Sequence, residues 1–258
     1  MPRVLKVLFF TVVVIGFGVL AASCGNGHAQ YRIVNGIAGS AYNTGVDIQM
    51  NGATVFTSVA FRSTEPGSSA SYSKIAAGSE TLEVFPAGDA GDANAQIITS
   101  TVNLDDNTQL PQYTIVLTGS TSSNLAASVF TDNNYTIPTS GNAAFRVINA
   151  SPSTSSTGGV DVYIVPPGVV LSGLSPTVSG LAFSSNAATA SSYVDVGVPT
   201  GGTLYVYVTA PGGKGQFGYP FPQSVGGLTG GQSIRTIVLT DYPGATLPPD
   251  LLVLTDVN

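Results

Sequence analysis

Catalysis in this chain would have to be built from few reactive side chains. There is one Cys, Cys24, and one His, His28, beside 14 Asp+Glu and 8 Lys+Arg. A Ser-His-Asp or Cys-His-Asp constellation needs a base that takes the nucleophile's proton. The sole His sits in a polar N-terminal stretch and reads as an incidental linker residue. Metal sites that need two His or several Cys are excluded by count. No G-x-S-x-G elbow occurs. Ser71-Tyr72-Ser73-Lys74 matches S-x-x-K, but it lies in strand-like sequence, where residues three apart point to opposite faces. Gly213-Lys214-Gly215-Gln216-Phe217-Gly218 matches G-x-G-x-x-G. A dinucleotide site needs a helix to start there, and Pro220 and Pro222 forbid one. A glycine-rich loop is the expectation.

The carboxylates offer three further chemistries. Glu80 with Glu83, and Asp105 with Asp106, are candidates for the acid pairs that hydrolyse glycosides when about 5–10 Å apart. Both read as solvated surface charge. Asp89-Ala90-Gly91-Asp92 and Asp132-Asn133-Asn134 carry hard oxygen ligands of the calcium kind, without the EF-hand spacing. Both read as polar loops. Arg32 and Arg146 recur at one position of a repeat described below, and Asp47 and Asp161 at another. Sparse charges that recur are expected to pair across neighbouring strands, Arg against carboxylate with bidentate geometry; a small anion or sugar site is the alternative. Tyr42, Tyr72, Tyr193, Tyr219, Phe221 and Tyr242 lie in or beside loop-like sequence and are candidates for stacking on a sugar. The absence of Trp weakens that case.

These residues are positioned by a unit written twice. Tyr31-Arg32-Ile33-Val34-Asn35-Gly36 is echoed by Phe145-Arg146-Val147-Ile148-Asn149-Ala150, and Val46-Asp47-Ile48 by Val160-Asp161-Val162. Val59-Ala60-Phe61 returns as Leu181-Ala182-Phe183, and Thr81 to Phe85 as Thr203 to Tyr207. Tyr113 to Thr118 returns as Arg235 to Thr240, and Val129 to Asp132 as Val253 to Asp256. Asp132 and Asp256 thus close the last strand of each unit. The segments are short, rich in Val, Ile, Tyr and Thr, and bounded by Gly, Pro, Asn and Ser, so they read as strands. No helical periodicity is present in the body of the chain. The expectation is all-β: two tandem antiparallel immunoglobulin-like β-sandwiches, at residues 31–135 and 143–258, joined by a linker at 136–142.

The N-terminus reads as an address. Arg3 and Lys6 precede an apolar run from Val7 to Leu20, and small residues lead to Cys24, which is the pattern of a secretory signal. Leu20-Ala21-Ala22-Ser23-Cys24 resembles a bacterial lipobox, with Leu20 one place further out than usual. The expectation is a lipoprotein signal peptide over 1–23, a tether over 24–30, and lipid attachment at Cys24, which would hold the protein to a membrane. Gly25 after the Cys, by the same resemblance, does not suggest inner-membrane retention.

Arg146-Val147-Ile148-Asn149-Ala150-Ser151-Pro152, then Val160-Asp161-Val162-Tyr163, then Leu181-Ala182-Phe183, resemble the DUF4397 family, whose units open with a similar pattern. Leu82 to Gly88 and the closing strand resemble it too. The likeness covers residues 31–258 as two copies, with Gly36-Ile37-Ala38 replacing the Ala-Ser-Pro element in the first. It implies an exported or surface-attached bacterial protein and no reaction.

Charged residues make 9% of the chain against a typical ~25%, and the net charge is −6. That excludes an electrostatic nucleic-acid binder, which needs clustered Lys and Arg. The reading is a non-enzymatic cell-envelope protein without a cofactor, acting as a binding, adhesion or structural module toward an envelope glycan or a surface protein. The alternative is a carbohydrate-binding envelope protein, and after it a glycan hydrolase.

Overall fold

The computed structural model describes residues 27–257 except 40–41, 43, 106–110, 122–123, 134, 185–186, 216–221 and 242–248. The leader, Cys24, Asp106, Asn134, Tyr219, Phe221 and Tyr242 lie outside the described residues. The first half runs β1 (His28–Ile37), β2 (Val46–Met50), β3 (Ala53–Val59), β4 (Thr64–Glu65), β5 (Ser73–Ala76), β6 (Gly78–Pro86), β7 (Ile98–Leu104), β8 (Gln112–Gly119) and β9 (Ala126–Thr131). The second runs β10 (Asn142–Asn149), a 3₁₀ turn (Pro152–Thr157), β11 (Val160–Val165), β12 (Val178–Leu181), β13 (Thr189–Ala190), β14 (Val194–Gly197), β15 (Leu204–Thr209), β16 (Gln223–Val225), β17 (Ile234–Thr240) and β18 (Asp250–Val257). β1 begins at His28, inside the stretch that the sequence presents as tether.

Four sheets result. In the first half the orders are β4-β1-β8-β9, with β5 also on β1, and β3-β2-β6-β7. In the second they are β13-β10-β17-β18, with β14 also on β10, and β12-β11-β15-β16. Each strand of the second half thus takes the place of the strand nine earlier. The chain is all-β, in two β-sandwiches. The pairings are antiparallel except two: β1 runs parallel to β8, and β10 to β17. The reason is connectivity. β1 and β8 are separated by an excursion through the other sheet, so no hairpin forces them to oppose.

Alternation builds each core. Tyr31, Ile33 and Ile37 of β1, Leu82 and Val84 of β6, and Ile115 and Leu117 of β8 face inward in the first sandwich. Val147, Val162, Leu204, Val206, Ile237 and Leu239 do so in the second. Each fully buried aliphatic side chain contributes roughly 1.5–3 kcal/mol. Buried Asn35 and Asn149 tie sheet to sheet in both: their Nδ2 atoms donate to the carbonyls of Val59 (2.8 Å) and Leu181 (2.9 Å). Gly45 and Gly159 open β2 and β11 with φ of +97° and +112°, and a Cβ on either would lie within 2.9 Å of a neighbouring backbone.

The opposite face of the inner sheets is buried as well. Val34, Val116, Ile148, Ala150, Val238 and Leu254 form a third apolar cluster drawn from both halves. The two sandwiches therefore stack by the outer faces of β1-β8 and β10-β17, and residues that alternation assigns to a solvated face, Arg32 and Thr114 among them, end up fully buried.

Candidate functional site

At that seam lies a cluster of four buried charges. Arg32 on β1 and Arg146 on β10 occupy equivalent positions, in parallel register with Thr114 and Thr236. Each guanidinium crosses to the other sandwich. Arg32 Nη2 contacts Asp256 Oδ1, and Arg146 Nη2 donates to Asp132 Oδ1 at 2.5 Å. Arg32 Nη1 donates to the Thr255 carbonyl at 3.1 Å, and Arg146 Nη1 to the Thr131 carbonyl at 2.8 Å. The Nε atoms donate to Thr114 Oγ1 (2.8 Å) and Thr236 Oγ1 (3.2 Å). Those hydroxyls donate onward to Asp132 (2.6 Å) and Asp256 (2.7 Å). Tyr72 and Tyr193 complete the symmetry. Their hydroxyls donate to Asp132 Oδ2 (2.8 Å) and Asp256 Oδ2 (3.0 Å). Their rings lie 4.8 and 5.0 Å from the guanidinium carbons of Arg32 and Arg146, within cation–π range.

The symmetry is not complete. Arg32 Nη1 also reaches the Ser69 carbonyl at 2.7 Å. Asp132 serves both arginines, with Arg32 Nη2 3.3 Å from its Oδ2. The side chains of Arg32 and Asp132 are 0% exposed. In so dry a site two cations and two anions persist only because each is paired and hydrogen-bonded. Burial opposes the Arg32 charge, but Asp132 and Asp256 outweigh it and hold its pKa above the ordinary arginine value. Burial pushes the Asp256 carboxyl above the usual carboxylate range, against the pull of Arg32. Burial, then Asp132, holds the Tyr72 hydroxyl well above an ordinary tyrosine; burial, then Asp256, does so for Tyr193.

The arrangement is a clamp. Its charged groups are satisfied by one another and by main-chain carbonyls. Beside it, Arg62 of the first sandwich bridges to Asp250 of the second at 2.6 Å, and Thr118 Oγ1 donates to the Ala150 carbonyl at 2.6 Å.

Several sequence expectations are corrected. Arg32 and Arg146 pair with Asp132 and Asp256, not with Asp47 and Asp161. Asp47 instead accepts from the backbone N–H of Ser58 (2.7 Å) and Gly88 (2.8 Å), and Asp161 from that of Gly180 (2.7 Å) and Gly212 (2.8 Å). Each therefore ties an edge strand and a turn of its outer sheet together. Asp132 is no calcium-loop ligand, since its oxygens are taken by the clamp. Tyr42 is buried in the first core, and Tyr72 and Tyr193 are half-buried against arginines, so none is an open sugar platform.

Other candidates stay apart. Glu80 and Glu83 lie three apart on β6, on opposite faces, where they accept from Asn51 and Gln96. Ser71 bonds Ser68 through its hydroxyl while Lys74 is exposed on β5. Asp92 accepts from the Asn94 N–H in an exposed turn (2.9 Å). Lys214 of the glycine-rich loop donates to the Tyr163 hydroxyl at 2.8 Å. The clamp roles of Thr114 and Thr236 were missed; their recurrence inside an echoed strand was the available signal.

Residues 29–163, just over half of the chain, match the family model described as a domain of unknown function, DUF4397. The match spans the first sandwich and continues through β10 into β11. No curated protein matches the chain.

Proposed function

The chain belongs to the DUF4397 family, and from that premise we propose that it is a non-enzymatic module displayed at the cell envelope of a bacterium. In this reading it is exported by the 1–23 leader and anchored by lipid on Cys24. The second sandwich is a second copy of the family's domain. Its support is the matching strand order and the recurrence of Arg, Thr, Tyr and Asp at equivalent places.

One observation carries the reading. Four charged residues that recur between the halves, Arg32, Arg146, Asp132 and Asp256, are spent on joining two sandwiches across a dry seam, which is what a two-domain display body needs to present its loops and edges at a set geometry. The carbohydrate-binding alternative is less well supported, because Tyr42, Tyr72 and Tyr193 are committed elsewhere. The hydrolase alternative loses the Glu80 and Glu83 pair.

The test is expression of the full chain in a diderm host. Mass spectrometry of the mature N-terminus is expected to find acylated Cys24, and the protein is expected in the membrane fraction. Cys24→Ala is expected to abolish that acylation. An unmodified Cys24 with soluble protein contradicts the anchor. Saturable binding of one sugar class on a glycan array would restore the carbohydrate alternative.

A further inference from the structure

A strand at a sheet edge exposes unpaired main-chain groups and is a template for another strand unless something blunts it. Among the described strands nearly every edge carries such a device. β3 is bulged against β2, and β12 against β11. β4, β13 and β16 are two or three residues long. β5 and β14 are short and carry Lys74 and Asp195. β9 and β18 are each engaged at one residue at the seam, where the Thr131 and Thr255 carbonyls accept from arginines and the Thr255 N–H donates to the Ser69 carbonyl. β7 is different. It runs seven residues, Ile-Thr-Ser-Thr-Val-Asn-Leu, without charge or proline. It pairs with β6 without a shift from Gly78↔Leu104 to Val84↔Ile98.

Two hydrogen bonds show which way its main chain faces. The Ile97 N–H donates to the Val84 carbonyl, and the Asn51 N–H to the Thr81 carbonyl, both at 2.8 Å. The Val84 carbonyl therefore turns toward β7, and that of Thr81 turns away from it. In an antiparallel pair the residue opposite an averted one is averted too. Thr101 lies opposite Thr81, so its N–H and C=O point out of the sheet, as by alternation do those of Thr99 and Asn103. The side chains of all three are exposed. Alongside, between β7 and β9, lies a groove of about 550 Å³ lined by Thr101, Asn103, Val129 and Thr131 among others.

Charge selects the occupant. The chain carries a net charge of −6, so a second copy is disfavoured wherever carboxylates would face each other, and β7 carries no charge. Set antiparallel on itself, it places Thr101 opposite Thr101 and Thr99 opposite Asn103, while Asp105 faces Ile97 rather than its own copy. Thr pairs across strands are favourable and like charges directly opposite are not. We propose that β7 is a dimer edge, at which two copies of this chain join β7 to β7 about a two-fold axis through Thr101. The contact is isologous, as closed dimers require, and it fuses the two outer sheets into one.

The test is sedimentation equilibrium of residues 25–258, which lack the apolar leader and the lipid-accepting Cys24 and so stay out of membranes. The parent is expected at twice the mass of that chain. Thr101→Pro removes the central outward N–H, at an edge position where proline is tolerated. It is expected to raise the dimer dissociation constant about tenfold or more with an unchanged circular dichroism spectrum. Thr101→Lys, which sets two cations opposite each other, is expected to do the same, and Thr101→Val to leave the dimer intact. A monomer at every concentration overturns the proposal. So does a dimer that neither Thr101→Pro nor Thr101→Lys weakens.

Discussion

In the first sandwich Arg32, Tyr72, Thr114 and Asp132 fill the places that Arg146, Tyr193, Thr236 and Asp256 fill in the second, and most of their bonds correspond. The outer sheets have drifted further. β7 has seven residues where its counterpart β16 has three. Ser151, just before the 3₁₀ turn that follows β10, and Ser153 within it are both hydrogen-bonded to buried Asp241. In the first sandwich that element is Gly36-Ile37-Ala38. A face that two similar units bury against each other is constrained from both sides. A change in one Arg strands a carboxylate in the other unit, whereas an outer edge answers to its own sheet alone.

Breaking the clamp at its shared carboxylate should have the largest effect. Asp132→Ala leaves two buried guanidinium groups short of a partner, and a loss of about 3–5 kcal/mol is expected from denaturant unfolding. Asp256→Ala should cost less, because Asp256 receives a single arginine where Asp132 receives two. Equal losses would break the asymmetry between the two halves. Replacing Arg32, Arg146, Asp132 and Asp256 together by apolar residues of similar volume should cost far less than Asp132→Ala alone.

Smaller effects sharpen the comparison. Tyr72→Phe and Tyr193→Phe each remove a hydrogen bond to a buried carboxylate and should cost about 1.5–3 kcal/mol apiece. A clear difference between them would show that the repeat is one of form only. The same hydroxyls set an alkaline limit. Tyr72 and Tyr193 titrate above the ordinary value of 10.0, and burial, then Glu80, pushes Tyr31 up to about 12. A group whose folded pKa is raised contributes stability that is complete below its unfolded value and lost as pH rises through the folded one. Unfolding midpoints should therefore hold to about pH 10 and fall above it, less steeply in the two Phe variants. Ile148→Val at the apolar seam should cost about 0.5–1.5 kcal/mol. Asp92→Ala in its exposed turn should stay within about 0.5 kcal/mol.

The strand segments and their repeated order were legible because recurrence and alternation are written in the residues. The site was legible only in part. Arg32 and Arg146 stood out as recurring charges, and Asp132 and Asp256 as recurring strand ends, yet nothing along the chain joins them. The bonds run between residues 132 and 146 and between 32 and 256. Recurrence alone pointed to Asp47 and Asp161, which follow Arg32 and Arg146 at the same spacing. Alternation likewise marks Thr114 as a polar-face residue and cannot say that the polar face is covered by a second sandwich. The same blindness left Tyr72 and Tyr193 reading as exposed, where the structure half-buries them against Arg32 and Arg146.

The central claim is that the seam, and not the linker, holds the sandwiches together. A protease site placed at Ile137, which is 74% exposed in the linker, tests it directly. After complete cleavage the two halves are expected to co-elute as one particle in native size-exclusion chromatography, and to separate when Asp132→Ala is added. Halves that part on cleavage alone, with the clamp intact, would contradict the account.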